Sequence, residues 1–152
     1  MEQYISTKTF DNFSVALRQW KAQHSHCQLL HGYALKFKIW FTSETLDDMN
    51  WIVDFGGFKS APQGNGLKDW MNDMFDHTLL IEKDDPYKDL FEQMAMSGIC
   101  KIHFLNKMGC ESLAKLVFDK FNDVLSKTDG ARSRVIKVEV FENDKNSAIY
   151  EC

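Results

Sequence analysis

The chain has 152 residues, about the size of one ordinary domain. It is 44% apolar and 26% charged, a mixture that supports one sizeable core and argues against a disordered tail, a collagen-like fibre or a disulfide miniprotein. The net charge of −4, with no basic run, makes it a poor general nucleic-acid binder, and no apolar run approaches the ~20 residues that span a bilayer.

The start, Met1-Glu2-Gln3-Tyr4, lacks the basic-then-apolar pattern of a secretory leader. Residues 4–10 alternate weakly and are expected to pair with the long strand that follows. From His31 to Ser43 the pattern is strongest. Tyr33, Leu35, Phe37, Ile39 and Phe41 alternate with Ala34, Lys36, Lys38, Trp40 and Thr42, the two-residue period of a strand with one buried face. Residues 50–55 read as a short strand, and Gly56, Gly57, Pro62, Gly64 and Gly66 then break the chain into a loop. Leu67, Trp70, Met71 and Met74 predict a helix over 67–75. Pro86 fits the first turn of a helix reaching Met96, which Gly98 ends. Residues 99–105 read as a strand, and Leu113, Leu116, Val117, Phe121 and Val124 as the apolar stripe of a helix over 111–125. Residues 134–141 alternate again, with Val135, Lys137, Glu139 and Phe141 on one face and Ile136, Val138 and Val140 on the other; residues 147–151 form the last strand. The order of elements predicts a single α+β domain over 1–152, an antiparallel sheet with helices on one face.

Cys27, Cys100, Cys110 and Cys152 contain no C-x-x-C pair, and nothing else suggests export, so four reduced thiols in a cytoplasmic protein are expected. Walker A, G-x-G-x-x-G, G-x-S-x-G and H-E-x-x-H patterns are absent. What remains is His24, His26 and His31 crowded around Cys27. Imidazole is a common metal ligand and thiolate a good nucleophile or base, so the cluster reads as a metal or thiol site. A polar loop before a strand, with Cys27 a small buried residue, accounts for the same residues. His103 lies on a predicted strand and reads as structural.

Cys27-x-x-x-His31-Gly32 followed by a long strand resembles the C-x-x-x-H-G-H segment of the 6-pyruvoyl-tetrahydropterin and 6-carboxytetrahydropterin synthase family. Phe13-Ser14-Val15-Ala16-Leu17-Arg18 is similar to that family's F-S-A-A-H-R, Trp51-Ile52-Val53-Asp54-Phe55 to G-W-I-I-D-F, and Asp76-His77-Thr78-Leu79-Leu80 to D-H-x-x-L. Glu111-Ser112-Leu113-Ala114 is similar to T-x-E-x-L-A, and Glu142 before Tyr150 to the Glu of E-T before a terminal I-Y. The resemblance implies a tunnelling fold whose sheets close a barrel between subunits, two trimers stacking into a hexamer, and an active site at a subunit interface.

It further implies an enzyme acting on 7,8-dihydroneopterin triphosphate, on the route to 7-deazaguanine and queuosine in short bacterial and phage-type relatives. In that frame Cys27 matches the proton-removing cysteine, Asp76 and His77 the proton-shuttling pair, and Glu142 the acid that anchors the pterin ring. Glu111 caps its helix N-terminus more readily than it touches substrate, and backbone near Gly109 and Cys110 lines the pterin pocket. Arg18, Lys21, Lys36 and Lys38 lie near in sequence and are candidates for the polyphosphate, although Lys36 and Lys38 read more readily as solvated strand positions.

The metal site departs from the family. Its three histidine positions read Leu17, His31 and Tyr33 here, and one ligand cannot hold a catalytic Zn2+, which takes about three protein donors. Either His24 and His26 join His31 in a rearranged site, or the metal is gone. In the second case the chain binds a pterin without turning it over or runs other chemistry, such as an aldolase or epimerase step on dihydroneopterin.

Overall fold

The computed structural model describes residues 3–152; Met1 and Glu2, on which the leader reading partly rests, lie outside them. Six strands form one sheet in the order β4-β3-β1-β2-β5-β6. Strand β1 spans Tyr4–Leu17 and pairs antiparallel with β2, His31–Ser43. Strand β5, Arg134–Phe141, pairs antiparallel with β2, and β6, Ser147–Glu151, with β5. On the other side, β3 (Thr78–Glu82) runs parallel to β1, and β4 (Lys101–Leu105) parallel to β3. The α+β expectation holds, but the sheet is mixed where a wholly antiparallel one was expected. Parallel neighbours need crossovers, and helices α1 (Leu67–Phe75) and α2 (Lys88–Met96) lie in them.

Helix α3, Cys110–Thr128, packs with α1 on one face. There Phe10, Phe13, Phe37, Phe41, Phe75, Phe121 and Leu35 form the main core. Helix α2 covers the opposite face at β3 and β4, where Phe91 meets Leu79 and Ile81. Helices on one face alone were expected; the second small core explains the difference. All five residues of β3 are buried, so Thr-Leu-Leu-Ile-Glu shows no alternation and was not read as a strand.

Two bulges set the faces. Pairing slips between Phe10 and Phe13, where Asn12 takes φ of 65°, so both phenylalanines point into the core. A second slip opposite Trp40 and Phe41 places Val135 inside with Val138 and Val140, whereas a regular strand would have opposed them. Residues 50–55 are not a strand. Arg132 satisfies their backbone instead, donating to the carbonyls of Ile52 at 2.6 Å and Trp51 at 3.4 Å. Asp54 then caps a short turn over Phe55–Phe58.

Candidate functional site

Leu17 pairs directly with His31, and Val15 with Tyr33, so the strand period puts Leu17, His31 and Tyr33 on one face at one end of the β1–β2 ladder. Leu17 is buried in the core. The His31 and Tyr33 rings meet edge to face at 5.1 Å and 87°. His31 Nδ1 stands 2.7 Å from the carbonyl of Leu29. A carbonyl only accepts, so that bond puts a proton on Nδ1. Nε2 is buried and has no partner.

Cys27 sits in a short turn over His26–Gln28, half buried. Ser25 Oγ accepts from its N–H at 3.1 Å, and its carbonyl accepts from the N–H of Gln19 at 2.8 Å, which ties the thiol to the end of β1. Glu142 follows β5, and its N–H donates to Asn146 across the hairpin. Cys110 opens α3, and its Sγ donates to Glu142 Oε1 at 3.6 Å. Tyr33 joins these groups. Burial pushes its phenol above the usual range, and the charge of Glu142 pushes it further. Gln19 bonds both the Cys27 carbonyl and the Met108 carbonyl just before Cys110, and Cys110 bonds Glu142, so Cys27, Cys110 and Glu142 share one neighbourhood with Tyr33, next to His31.

The turn into α3 is fixed from two sides. Buried Glu82 accepts from the N–H of Met108 at 3.1 Å, and Gln19 Nε2 donates to the Met108 carbonyl at 3.3 Å. Gly109 then takes φ of 136°, and a Cβ there would lie 3.2 Å from both Gln19 Nε2 and Glu111 Oε2. Glu111, in the first turn of α3, sits where the helix dipole favours an acid. Gln19, Glu82 and Tyr33 were not singled out as functional; the period-two step from His31 to Tyr33 was the available signal.

Burial first, then the Glu142 charge, pushes the Cys110 thiol up to about 12 from 9.0. Its folded value exceeds the unfolded one, so its contribution to stability is whole below pH 9.0 and is lost as pH rises towards 12. At neutral pH it is a thiol, and thiols alkylate slowly. Mass mapping after brief iodoacetamide treatment at pH 7.5 is expected to label exposed Cys152 well before Cys110. Equal labelling in folded protein would contradict the environment described here.

Asp76 and His77 lie elsewhere in the protomer. Asp76 accepts from the N–H of Ser14 at 3.2 Å and from His77 Nδ1 at 3.1 Å, and these bonds hold its carboxyl below the usual range, the Ser14 bond being the stronger influence. Ser14 is three strand steps, about 10 Å, from Leu17. The His77 side chain is 84% exposed, on a backbone with φ of 52° that few non-glycine residues adopt. One chain thus pairs Asp76 with His77 but does not bring them to Cys27.

His24 and His26 are exposed on the turn before β2. Among the described residues no group of three or more His, Cys, Asp or Glu is arranged to hold a metal ion. Where the family's three metal positions meet, only His31 offers a nitrogen, beside an aliphatic side chain and a phenol. These residues do not fit a catalytic zinc. The cations are also largely committed. Arg18 is locked to buried Asp85 at 2.8 Å, and Lys21 to Asp84 at 2.9 Å. Lys36 lies over the Phe141 ring and Lys38 over Trp40, on the sheet face away from the main core. His103 bonds Asp73 from β4, in keeping with a structural role.

A curled mixed sheet with an acid, a phenol and two thiols gathered at one end defines a small α+β domain of the tunnelling type. An uncharacterised protein of Wolinella succinogenes has this fold with a TM-score of 0.82 at 18% identity, over 99% of each chain. A 6-pyruvoyl tetrahydropterin synthase of Caenorhabditis elegans has it with a TM-score of 0.66 at 18% identity, over 100% of this chain and 97% of that one. Residues 5–152 match the family model described as 6-pyruvoyl tetrahydropterin synthase, and the chain belongs to that family. It is similar to a 6-carboxy-5,6,7,8-tetrahydropterin synthase of Rickettsia felis, 29% identical over 89 residues; the match spans 58% of this chain and 59% of that protein. The enzyme of the same name from Aquifex aeolicus is 26% identical over 130 residues, 82% of this chain and 75% of that one. No helix among the described residues is long and apolar enough to cross a membrane.

Proposed function

We propose that the chain acts on 7,8-dihydroneopterin triphosphate as a 6-carboxytetrahydropterin or 6-pyruvoyl-tetrahydropterin synthase. The observation that carries this reading is the gathering of Cys27, Tyr33, Cys110 and Glu142 at one end of the sheet, from segments far apart in sequence. Glu142 grips the ring: a carboxylate accepts two parallel N–H bonds from the 2-amino group and the adjacent ring nitrogen. Cys27 takes a carbon-bound proton, and the elimination that follows expels triphosphate. The Asp76–His77 pair of a neighbouring subunit completes the site. Its exposure supports a homo-oligomer in which a neighbour's pair reaches Cys27; the assembly of this reading is two stacked trimers whose sheets close a barrel, in the cytoplasm.

The test is to incubate the purified protein with the substrate and measure triphosphate. Release that depends on the protein supports the reading, and no release with zinc supplied refutes it. Leu17 and Tyr33 at metal positions favour a second reading, a homologue that binds a pterin without turnover. Glu142 is common to both. Glu142→Gln removes the charge from both ring bonds and is expected to weaken pterin binding in calorimetry about 100-fold. A change of less than about threefold would dismiss the acid as the anchor.

A further inference from the structure

We propose that Gln19 is a positioning residue for the reaction, holding the turn that carries the Cys27 thiol in fixed relation to the turn that opens α3. The role rests on the synthase reading and deepens it. Gln19 lies half buried just beyond β1 and reaches two segments far apart in sequence. Its backbone N–H donates to the Cys27 carbonyl at 2.8 Å, and its side-chain Nε2 donates to the Met108 carbonyl at 3.3 Å. Among the described residues it is the only one hydrogen-bonded to both turns. Gly109 leaves the amide its room, since a Cβ there would lie 3.2 Å from Gln19 Nε2.

This bridge joins the two ends of the proposed chemistry. On one side is the thiol that takes the proton. On the other, Met108 leads through Gly109 to Cys110, whose Sγ donates to Glu142, the acid that grips the ring. Buried Glu82, at the end of β3, accepts from the Met108 N–H at 3.1 Å and ties the α3 turn to the sheet. Gln19 ties the same peptide to the thiol. A carbonyl only accepts, so the side chain at 19 must bring an N–H, and an amide does so without adding a charge. The fold does not depend on that side chain. Arg18 bonds Asp85 at 2.8 Å and Trp20 bonds Asp84 at 3.1 Å, so both neighbours hold the segment when the amide is cut away. Proton removal is steep in distance, a misplacement of about 1 Å costing ~100-fold in rate, whereas the grip of Glu142 on the ring stays as it was.

The test compares variants of the whole protein in triphosphate release from 7,8-dihydroneopterin triphosphate, in pterin affinity by calorimetry and in thermal midpoint. Gln19→Met keeps the length and removes the donor; Gln19→Glu keeps the shape and offers only acceptor oxygens. Both are expected to lower kcat about tenfold, with pterin affinity changed by less than about threefold and the midpoint by less than about 2 °C. Gln19→His carries a ring N–H at the reach of the amide, neutral at pH 8, and should return kcat to within about threefold of the wild type. A fall of less than about threefold in both Gln19→Met and Gln19→Glu overturns the role. Equal losses of kcat and affinity, losses that follow the thermal midpoint, or a Gln19→His chain no better than Gln19→Met overturn it too, and each leaves the synthase reading standing. Absence of triphosphate release from the wild-type chain overturns the synthase reading, and the positioning role falls with it.

Discussion

Cys27→Ala is expected to lower triphosphate release from 7,8-dihydroneopterin triphosphate about 1000-fold, with pterin affinity changed by less than about threefold. A positioned acid or base contributes ~10²–10⁴ in rate, and it does so only in the proton-transfer step. In the proposed function ring binding rests on Glu142, which Cys27 does not touch through any hydrogen bond, so binding and turnover should separate cleanly. The fold should survive, because Cys27 is only half buried in a short turn whose backbone bonds, to Gln19 and Ser25, do not involve its sulfur. His77→Asn should show the same separation of kcat from affinity. The two variants together test the composite site. In a site made of Cys27 from one subunit and His77 from its neighbour, refolding equal amounts of Cys27→Ala and His77→Asn chains together restores about a quarter of the sites. Activity of the mixture no higher than that of either variant alone would exclude the shared arrangement. A fall of less than tenfold in Cys27→Ala would remove the thiol from the chemistry.

Where burial was one-sided, the sequence was legible. Strand β2 and helix α1 have the bounds their periods predict, and β5 and β6 likewise, because each alternates or repeats against a single core face. Strand β3 carried no period, being buried on both sides, and so the parallel half of the sheet was not foreseen. The bulge at Asn12 and the one near Ile136 each insert a residue, and an inserted residue moves everything beyond it to the other face. This is why Val135 was assigned opposite Val138 although the two share the core. The 50–55 segment has strand composition but its carbonyls are satisfied by Arg132, a partner about 80 residues distant that no local pattern reveals. For the site, motif order placed Cys27, Cys110 and Glu142, and the fold brings all three around Tyr33. It could not place His77 relative to Cys27, because that relation is set by strand offset, which motif order does not carry. Tyr33 was read as a ligand lost; only pairing of β2 with β5 shows that it borders Glu142.

Phe121→Ala is expected to destabilise the folded chain by about 4 kcal/mol. Phe121 is fully buried on α3, with ring centroids 5.8 Å from Phe10, 6.3 Å from Phe41 and 5.8 Å from Phe58. Truncating a buried phenylalanine costs ~3–5 kcal/mol, made up of lost transfer energy and the cavity left behind. The cavity here has little room to collapse. Phe10 and Phe41 stand on neighbouring strands of the sheet, and Phe58 belongs to a turn capped by Asp54, so the three rings cannot close on the void without moving backbone. Against a total stability of ~5–15 kcal/mol, a loss of this size removes a large share. With a urea slope near ~2 kcal/mol/M, the unfolding midpoint should fall by about 2 M at fixed protein concentration. Leu90→Ala is the control. Leu90 is 52% exposed on α2, and its truncation should cost under about 1 kcal/mol. Because α3 also carries Cys110 at its first turn, loosening its seat should expose that thiol, and the Phe121→Ala chain is expected to alkylate at Cys110 faster than the wild type at the same pH. A midpoint shift no larger than the control's would mean that the aromatic cluster is not what holds α3 against the sheet.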